Sequence, residues 1–238
     1  NGAKHSLFNL FQVLVEEGDE VIIPAPYWVT YPEQVKFSDG VPVFIDTDDS
    51  TEFKITPEQL KAVITPKTKI LLLNTPSNPT GSVYTKEELT ALGKVLEGTD
   101  IIVLSDEMYE KIIYNGKKFT AAAEVSEDMF KRTVTINGLS KAVAMTGWRF
   151  GYLATCDVKL AKALIKLQGQ VTSNINTMTQ YAAIPALNGD ADADIEMMRA
   201  AFEERKNIVV KSFNEIKGLS TIDPDGAFYA FVNIKDVT

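Results

Sequence analysis

One lysine of the chain stands in a context suited to covalent chemistry. Lys141 follows Gly138 and Ser140 after a strand-like segment, and Arg149 comes eight residues later. A lysine must lose its proton to attack a carbonyl, so we expect burial and nearby positive charge to lower its pKa. Arginine can hold a phosphate through two parallel hydrogen bonds. The spacing therefore suits a Schiff-base lysine beside a phosphate clamp, although a single lysine without this context is usually a solvated surface residue.

Four blocks of the sequence resemble motifs of the class I/II pyridoxal-phosphate (PLP)-dependent aminotransferases, in the order that this family has them. They are APYW at 25–28, NTPSNPTG at 74–81, SDEMY at 105–109 and GLSKAVAMTGWRFG at 138–151. Residues 26–32 and 137–149 look most like those of bacterial aspartate aminotransferases. The resemblance covers essentially the whole chain. It implies PLP as cofactor, an amino acid (aspartate) and a 2-oxo acid (2-oxoglutarate) as substrates, and a homodimer.

The resemblance also implies a role for the polar residues of the later blocks. Lys141 would carry the cofactor covalently and then move a proton as general acid and base. Asp106 ends the apolar segment 101–104, where open α/β sheets bind ligands, and would keep the pyridine nitrogen protonated. Tyr109 and Asn78 would hydrogen-bond the 3-hydroxyl oxygen of the cofactor. Lys141, Asp106 and Tyr109 are the predicted catalytic residues.

Two earlier segments are expected to complete the cofactor site. Trp28 would stack on the face of the ring and, together with Asn78, contact the substrate. The start of the first predicted helix offers free N–H groups to a phosphate, with Arg149 on the other side. This predicted phosphate loop consists of Gly2, Ala3 and Lys4.

The same residues also have simpler interpretations. Without the resemblance, Asp106 would be a helix N-cap and Trp28 a core aromatic residue, while Asn78 and Tyr109 would be ordinary polar loop residues. We assign Met145, Trp148 and Cys156 to packing and His5 to a helix surface or cap. Tyr27 and Tyr31 stay unassigned, because aromatic residues near a turn usually belong to the core.

Other functions are compatible with the same cofactor core. Aromatic, kynurenine and prephenate aminotransferases share this scaffold, and so do C–S lyases and related synthases. A PLP-sensing regulatory domain is a rival from another class, and it predicts a DNA-binding segment before Asn1. Product analysis of the full-length protein with aspartate and 2-oxoglutarate separates a transaminase from the lyases and synthases. The sequence that precedes Asn1 in the full-length protein decides whether a regulatory domain is present.

Composition narrows the class of protein. The 238 residues are 45% hydrophobic and 24% charged, which is typical of a globular chain with a large core. A net charge of -8 argues against nucleic-acid or acidic-membrane partners. The single cysteine excludes an internal disulfide and favours a reducing, cytoplasmic location, and with one histidine a metal site is not expected. Apolar runs of four residues are too short to span a membrane.

Alternating strand and helix patterns predict a three-layer α/β sandwich with a mainly parallel central sheet. The resemblance specifies this as PLP-dependent transferase fold type I. Strands are predicted at 20–23, 41–45, 69–73, 101–105, 133–136 and 150–154. Thr56 and Thr85 carry the sequence signature of helix N-caps.

The last part of the chain is predicted to differ from the rest. A long helix at 194–217, ended by Gly218, would bridge two domains, and the apolar residues 227–234 would form a strand. We expect a PLP-binding large domain at 1–190, and at 191–238 the interdomain helix with the beginning of a small α+β domain. We also expect the chain to be a fragment, with the arginine that binds the substrate α-carboxylate beyond its last residue.

Overall fold

A six-stranded sheet forms the centre of the computed structural model, which describes residues 1–237 of the chain. Its strands are β1 (Glu20–Ala25), β2 (Val41–Asp46), β3 (Thr68–Asn74), β4 (Ile102–Asp106), β5 (Thr133–Gly138) and β6 (Gly151–Ala154). Their order is β2-β1-β3-β4-β5-β6, and all neighbours are parallel except β5 and β6. Each strand lies within two residues of its predicted bounds, so the predicted sheet is confirmed.

Helices connect the strands and cover the sheet. They are α1 (Ala3–Leu14), α2 (Thr30–Phe37), α3 (Pro57–Val63), α4 (Lys86–Leu96), α5 (Glu127–Arg132), α6 (Leu139–Ala142), α7 (Val158–Val171), α8 (Thr177–Asn188) and α9 (Asp192–Asn214). Short 3-10 turns occupy Asp49–Thr51, Ala122–Glu124, Thr146–Trp148 and Lys235–Val237.

The sheet is buried on both faces, which makes the fold a three-layer sandwich. Along β3, Ile70 and Leu72 pack into the cluster that contains the apolar residues of α1 and α7. Leu71 and Leu73 point the opposite way, into the cluster with α3, α4 and α5. Successive side chains of a strand alternate between faces, so a strand that is apolar at every position needs cover on both sides.

Both predicted helix starts carry complete capping boxes. Thr56 Oγ1 accepts from the Gln59 amide at 3.3 Å, and the Gln59 side chain accepts from the Thr56 amide at 2.9 Å. Thr85 and Glu88 repeat the arrangement at 3.2 and 2.7 Å. These side chains satisfy N–H groups that lack partners within the helix, which fixes where α3 and α4 begin.

Two predictions near the end of the chain need correction. The long helix ends at Asn214 instead of Lys217, because residues 215–219 form tight turns in which Gly218 has a φ of 87°. The predicted strand at 227–234 shrinks to β8 (Val232–Asn233), which pairs with β7 (Ser220–Thr221). Ala227 cannot continue a strand, because its φ is 57° and its amide donates to the Ile112 carbonyl at 3.0 Å.

Two residues assigned to packing are exposed. Cys156 lies at the surface near the carbonyl oxygens of Phe130 and Lys131. Trp148, seven residues after Lys141, is 47% exposed. Side-chain type alone predicted burial, but their positions at the outer edge of the sheet leave them in solvent.

The predicted domain boundary at 190/191 falls between α8 and α9, and the division itself stays a prediction. No helix within residues 1–237 combines the length and the apolar character needed to cross a bilayer. The same described residues hold no cluster of three or more His, Cys, Asp or Glu side chains arranged around a metal position.

Candidate active site

The carboxyl ends of the parallel strands meet at one edge of the sheet. Asn74 at the end of β3 is the register partner of Asp106 at the end of β4, and Asp106 pairs with Ile136 of β5. The Asn74 side chain also donates to the Asp106 carbonyl at 3.0 Å. Loops leaving these strands surround a cavity of about 220 Å³. It is lined by Ala3, Lys4, Leu7, Trp28, Tyr31, Asn74, Asn78, Asp106, Met108, Tyr109, Ser140, Lys141, Thr146, Arg149 and Tyr229.

The predicted site residues therefore come together, although they are far apart in the sequence. Eight of the nine line this cavity directly. The ninth, Gly2, lies immediately behind the Arg149 side chain. Open α/β sheets bind ligands at this edge, where the strands end and the loops diverge.

Lys141 enters the cavity from α6, directly after β5. Its Nζ lies 5.8 Å from the ring centre of Tyr109 and 5.3 Å from that of Phe228. Partial burial, and secondarily the positive charge of Arg149, lower the pKa of Lys141. Within the described residues no carboxylate forms an ion pair with it. The amine is thus half-desolvated and available, which agrees with the predicted direction of its pKa.

Gly138 allows Lys141 to take this position. A Cβ at Gly138 would lie 2.6 Å from the Phe150 carbonyl oxygen and 3.0 Å from Gly151 Cα. Only a glycine lets β5 and the antiparallel β6 approach this closely just before α6 begins.

Asp106 is a buried carboxylate below the cavity, with only 3% of its surface exposed. Its Oδ2 accepts a hydrogen bond from the Tyr31 hydroxyl at 2.8 Å, and Oδ1 accepts from the Met108 amide at 3.3 Å. Burial raises the pKa of Asp106 to about 6, while the two hydrogen bonds act in the opposite direction. Above that pH the site holds a desolvated negative charge, which favours a cationic group on a ligand.

Tyr31 is a site residue that the sequence did not predict, since it stayed unassigned as an aromatic residue near a turn. Its side chain is only 1% exposed, and its hydroxyl donates a hydrogen bond to Asp106. Burial and the neighbouring carboxylate both raise the pKa of Tyr31, so it remains a donor. A buried tyrosine usually needs a hydrogen-bond partner. This rule predicts that a buried Tyr31 has a hydrogen-bond partner, but it does not identify Asp106, which is 75 residues away in the sequence.

Tyr109 stands between Lys141 and the loop after β3. Its hydroxyl lies 2.6 Å from that of Tyr229 and also hydrogen-bonds the Asn78 side chain. The Asn78 amide donates to the Asn74 side chain at 2.7 Å, which fixes the loop. Burial first, and then the hydrogen bond with Tyr229, raise the pKa of Tyr109 well above its usual range. Tyr229 is the second residue that sequence analysis missed, because it lies in the segment predicted as a plain strand.

The other end of the cavity is built to hold an anion. Gly2 caps α1 with a φ of 81°, and a Cβ there would lie 2.5 Å from Arg149 Nη2. Helix geometry leaves the Ala3 and Lys4 amides without partners inside the helix. Arg149 has left-handed backbone angles, φ 57° and ψ 42°, and Nη1 donates to the Thr146 carbonyl at 2.6 Å.

One aromatic side chain, Trp28, and one cationic side chain, Lys4, close the cavity near this end. Trp28 packs edge-on against Tyr31, with ring centres 5.4 Å apart. Lys4 Nζ lies 4.7 Å from the centre of the Trp28 ring. The Lys4 side chain therefore lies over Trp28, while its backbone belongs to the helix start.

The remaining arginines have partners elsewhere in the part of the chain that is described. Arg132 pairs with Asp128 on α5, and Arg199 pairs with Glu196 and Glu203 on α9. Arg205 stacks over Phe202 with 5.9 Å between guanidinium carbon and ring centre. Arg149 is thus the arginine that this part of the chain brings to the cavity.

This sheet, with a lysine-bearing cavity at its carboxyl edge, is that of the PLP-dependent aminotransferases of fold type I. The chain belongs to the family of class I and II aminotransferases, whose sequence model matches residues 1–238.

Individual relatives agree with this assignment. The chain is 51% identical over 235 residues to an aspartate aminotransferase of Geobacillus stearothermophilus, covering 99% of this chain and 59% of the relative. It is 48% identical to an asparagine–oxo-acid transaminase of Streptococcus mutans, covering 98% and 59%. The crystal structure of the Rhizobium meliloti aspartate aminotransferase superposes with a TM-score of 0.96 at 42% identity, over 99% of this chain and 59% of that one. The chain thus spans about three-fifths of the length of these relatives.

Proposed function

We propose that the protein containing this chain is a PLP-dependent aminotransferase that transfers the amino group of aspartate to 2-oxoglutarate. The observation that carries the proposal is the position of Lys141, a half-buried amine with a lowered pKa in the same cavity as Asp106 and Arg149. The names of the relatives support the choice of aspartate.

The shape and charge of the cavity fit this cofactor. Gly2 leaves no room for a side chain next to Arg149, so backbone amides and guanidinium can approach one phosphate from two sides. At the opposite end Asp106 offers a buried carboxylate that accepts two hydrogen bonds and, within residues 1–237, forms no ion pair. A phosphate at one end and a protonated ring nitrogen at the other match these two charges.

Each residue then has a specific task. Bound PLP supplies an aldehyde that reacts with amines and a ring that accepts electrons. Asp106 is ionised above a pKa of about 6 and holds a proton on the ring nitrogen. Tyr109 and Asn78 direct hydrogen bonds at the 3-hydroxyl oxygen. Lys141 Nζ would hold the cofactor covalently until the substrate amine displaces it. The released, neutral Nζ would then accept the proton of the substrate α-carbon and deliver it to the C4′ carbon of the cofactor.

Trp28 and Asn78 are the residues we propose for substrate contact. Trp28 covers the cavity next to Tyr31 and would exclude water from one face of the ring. Asn78 is held in place through Asn74 and faces the same cavity.

Reductive labelling tests the assignment of Lys141. The intact protein is incubated with PLP, reduced with borohydride and mapped by peptide mass. We expect the adduct on Lys141, and Lys141→Ala should lose it and lose at least about 100-fold in transamination rate. Lys159→Ala, at an exposed position of α7, serves as the control and should keep both. An adduct on another lysine, or full activity of Lys141→Ala, would refute the proposal.

The same assay compares amino donors. Aspartate and asparagine are each paired with 2-oxoglutarate, because one relative is an asparagine–oxo-acid transaminase. If asparagine is turned over faster than aspartate, asparagine becomes the proposed substrate, and the assignment of Lys141 does not change.

We further propose that the protein acts as a homodimer with α8 in the interface. Four apolar side chains spaced three residues apart on α8 are 76%, 71%, 48% and 55% exposed: Met178, Tyr181, Ile184 and Leu187. At about 100° per residue these four positions turn through about 180°, so exposed apolar side chains cover half of the circumference of α8. Exposed apolar surface of this kind usually marks a contact with another protein. Tyr181→Asp should shift the intact protein toward monomer in sedimentation, and an undisturbed dimer would exclude α8 from the interface.

A further inference from the structure

Tyr229 lies in the cavity but belongs to none of the four sequence blocks. Its hydroxyl is 2.6 Å from the Tyr109 hydroxyl, and the two rings meet edge to face with centres 5.7 Å apart. Tyr109 and Tyr229 are 120 residues apart. The contact joins the predicted large domain to the segment in which we expect the small domain to begin.

The backbone before Tyr229 is anchored on two sides. The amides of Asp225 and Gly226 donate to the Gly81 carbonyl at 3.1 and 2.9 Å, which ties the turn to the loop that carries Asn78. The Tyr114 amide donates to the Asp225 carbonyl at 2.8 Å, and the Tyr114 hydroxyl donates to the Ala227 carbonyl. Tyr229 is therefore held by the same two loops that place Asn78 and Tyr109.

Packing around this turn leaves no room for a side chain at either of two glycines. A Cβ at Gly81 would lie 2.4 Å from Pro224 Cβ, and a Cβ at Gly226 would lie 2.8 Å from Pro76 Cβ. Interiors packed this closely transmit small displacements. A movement of residues 223–229 would consequently displace Tyr229 and change its hydrogen bond with the Tyr109 hydroxyl.

The Tyr109 hydroxyl has one proton and can also accept hydrogen bonds. Asn78 and Tyr229 both reach it, so Tyr229 can act as acceptor when the cavity is empty and as donor when Tyr109 turns its proton toward a ligand. A donor behind Tyr109 strengthens the hydrogen bond that Tyr109 gives to the next acceptor.

We propose that Tyr229 is a positioning residue, whose hydroxyl orients the Tyr109 phenol toward the bound cofactor and links that orientation to the segment 220–233. The inference rests on the proposed function and adds a residue to its site. Tyr229 acts through Tyr109 and does not itself take part in the chemistry.

A double-mutant cycle tests this in the intact protein loaded with PLP. Wild type, Tyr229→Phe, Tyr109→Phe and the double variant are titrated for PLP affinity and for the pH midpoint of the cofactor absorbance. Tyr229→Phe should weaken PLP binding by about three- to tenfold and raise the midpoint by about 0.4–1 pH unit, the equivalent of one hydrogen bond. The midpoint rises because a weaker donor at the 3-hydroxyl oxygen stabilises its anion less.

The double variant should match Tyr109→Phe, because Tyr229 has no effect once its partner hydroxyl is gone. Tyr84→Phe is the matched control: it also removes a buried hydroxyl, which accepts from the Ile55 amide at 2.9 Å outside the cavity, and should leave the midpoint unchanged. A midpoint for Tyr229→Phe equal to wild type, or effects that add fully in the double variant, would overturn the proposal.

A second cycle separates this proposal from the proposed function. Urea unfolding of the PLP-free protein measures coupling between Tyr109→Phe and Tyr229→Phe without any cofactor. Additive effects there would overturn the phenol–phenol contact, even if PLP binds normally. If wild type binds no PLP while the two residues are coupled, the proposed function fails and the role of Tyr229 toward the cofactor fails with it.

Discussion

Asp106 should make the cofactor-free protein less stable as the pH rises through the acid range. Burial raises its pKa from 3.8 to about 6 in the folded state. Between these two values the folded protein binds a proton that the unfolded chain releases, so the free energy of unfolding falls with rising pH. The shift of about 2 pKa units, at about 1.4 kcal/mol each, corresponds to about 3 kcal/mol.

Asp106→Asn removes this titration while keeping a side chain of nearly the same shape. The variant minus wild-type difference in unfolding free energy should therefore rise by about 3 kcal/mol from below pH 4 to above pH 6. Urea unfolding of the PLP-free proteins at a series of pH values measures it. Taking the difference removes the contributions of groups that do not interact with Asp106. Glu107, whose pKa burial raises to about 7, keeps a small residual contribution, because the Asp106 charge also raises its pKa.

Asp128→Asn provides a control of opposite sign. The hydrogen bond with Arg132 lowers the pKa of Asp128, so this carboxylate stabilises the fold above pH 3.8 and loses that contribution as the pH falls below it. For Asp128→Asn, the variant minus wild-type difference in unfolding free energy should fall as the pH rises, and this change should occur at lower pH than for Asp106→Asn. A flat difference for Asp106→Asn between pH 4 and 7 would show that Asp106 titrates normally, and the argument for a buried charge awaiting a cation would be wrong.

Two further substitutions probe the ends of the cavity. Gly2→Ala and Gly18→Ala both place a side chain at positive φ, 81° and 84°. Gly18→Ala should cost roughly 1 kcal/mol in urea unfolding. Gly2→Ala should cost about 1–3 kcal/mol, because its ψ of 161° lies in a region essentially restricted to glycine. Only Gly2→Ala also displaces the Arg149 guanidinium, so it alone should weaken PLP binding, and equal PLP affinity of the two variants would contradict the phosphate site. Tyr31→Phe removes a hydrogen bond that lowers the pKa of Asp106, and the pKa should rise above about 6. The Asp106 carboxyl resonance followed by NMR against pH measures this, and a midpoint unchanged or lower would show that Tyr31 does not stabilise the carboxylate.

The sequence by itself determined the sheet, and it predicted a set of site residues that the structure brings to one cavity. Strands that are apolar at every position have to be covered on both faces, and capping boxes at Thr56 and Thr85 mark helix starts through local hydrogen bonds. The motif blocks predicted Lys141, Asp106 and Arg149 as site residues. Asp106 ends β4, Lys141 follows β5, and the carboxyl ends of these parallel strands meet at one edge of the sheet. These features depend on neighbouring residues, which a sequence shows directly.

The tertiary structure alone decided which distant groups complete the site. Tyr31 was unassigned and Tyr229 was only part of a predicted strand, but their hydroxyls contact Asp106 and Tyr109 across 75 and 120 residues. The segment 227–231 has the composition of a strand, yet hydrogen bonds to residues 112–114 and close packing against Pro76 hold it in another conformation. Such pairings follow from how separate elements pack together, and no local pattern in the sequence encodes them.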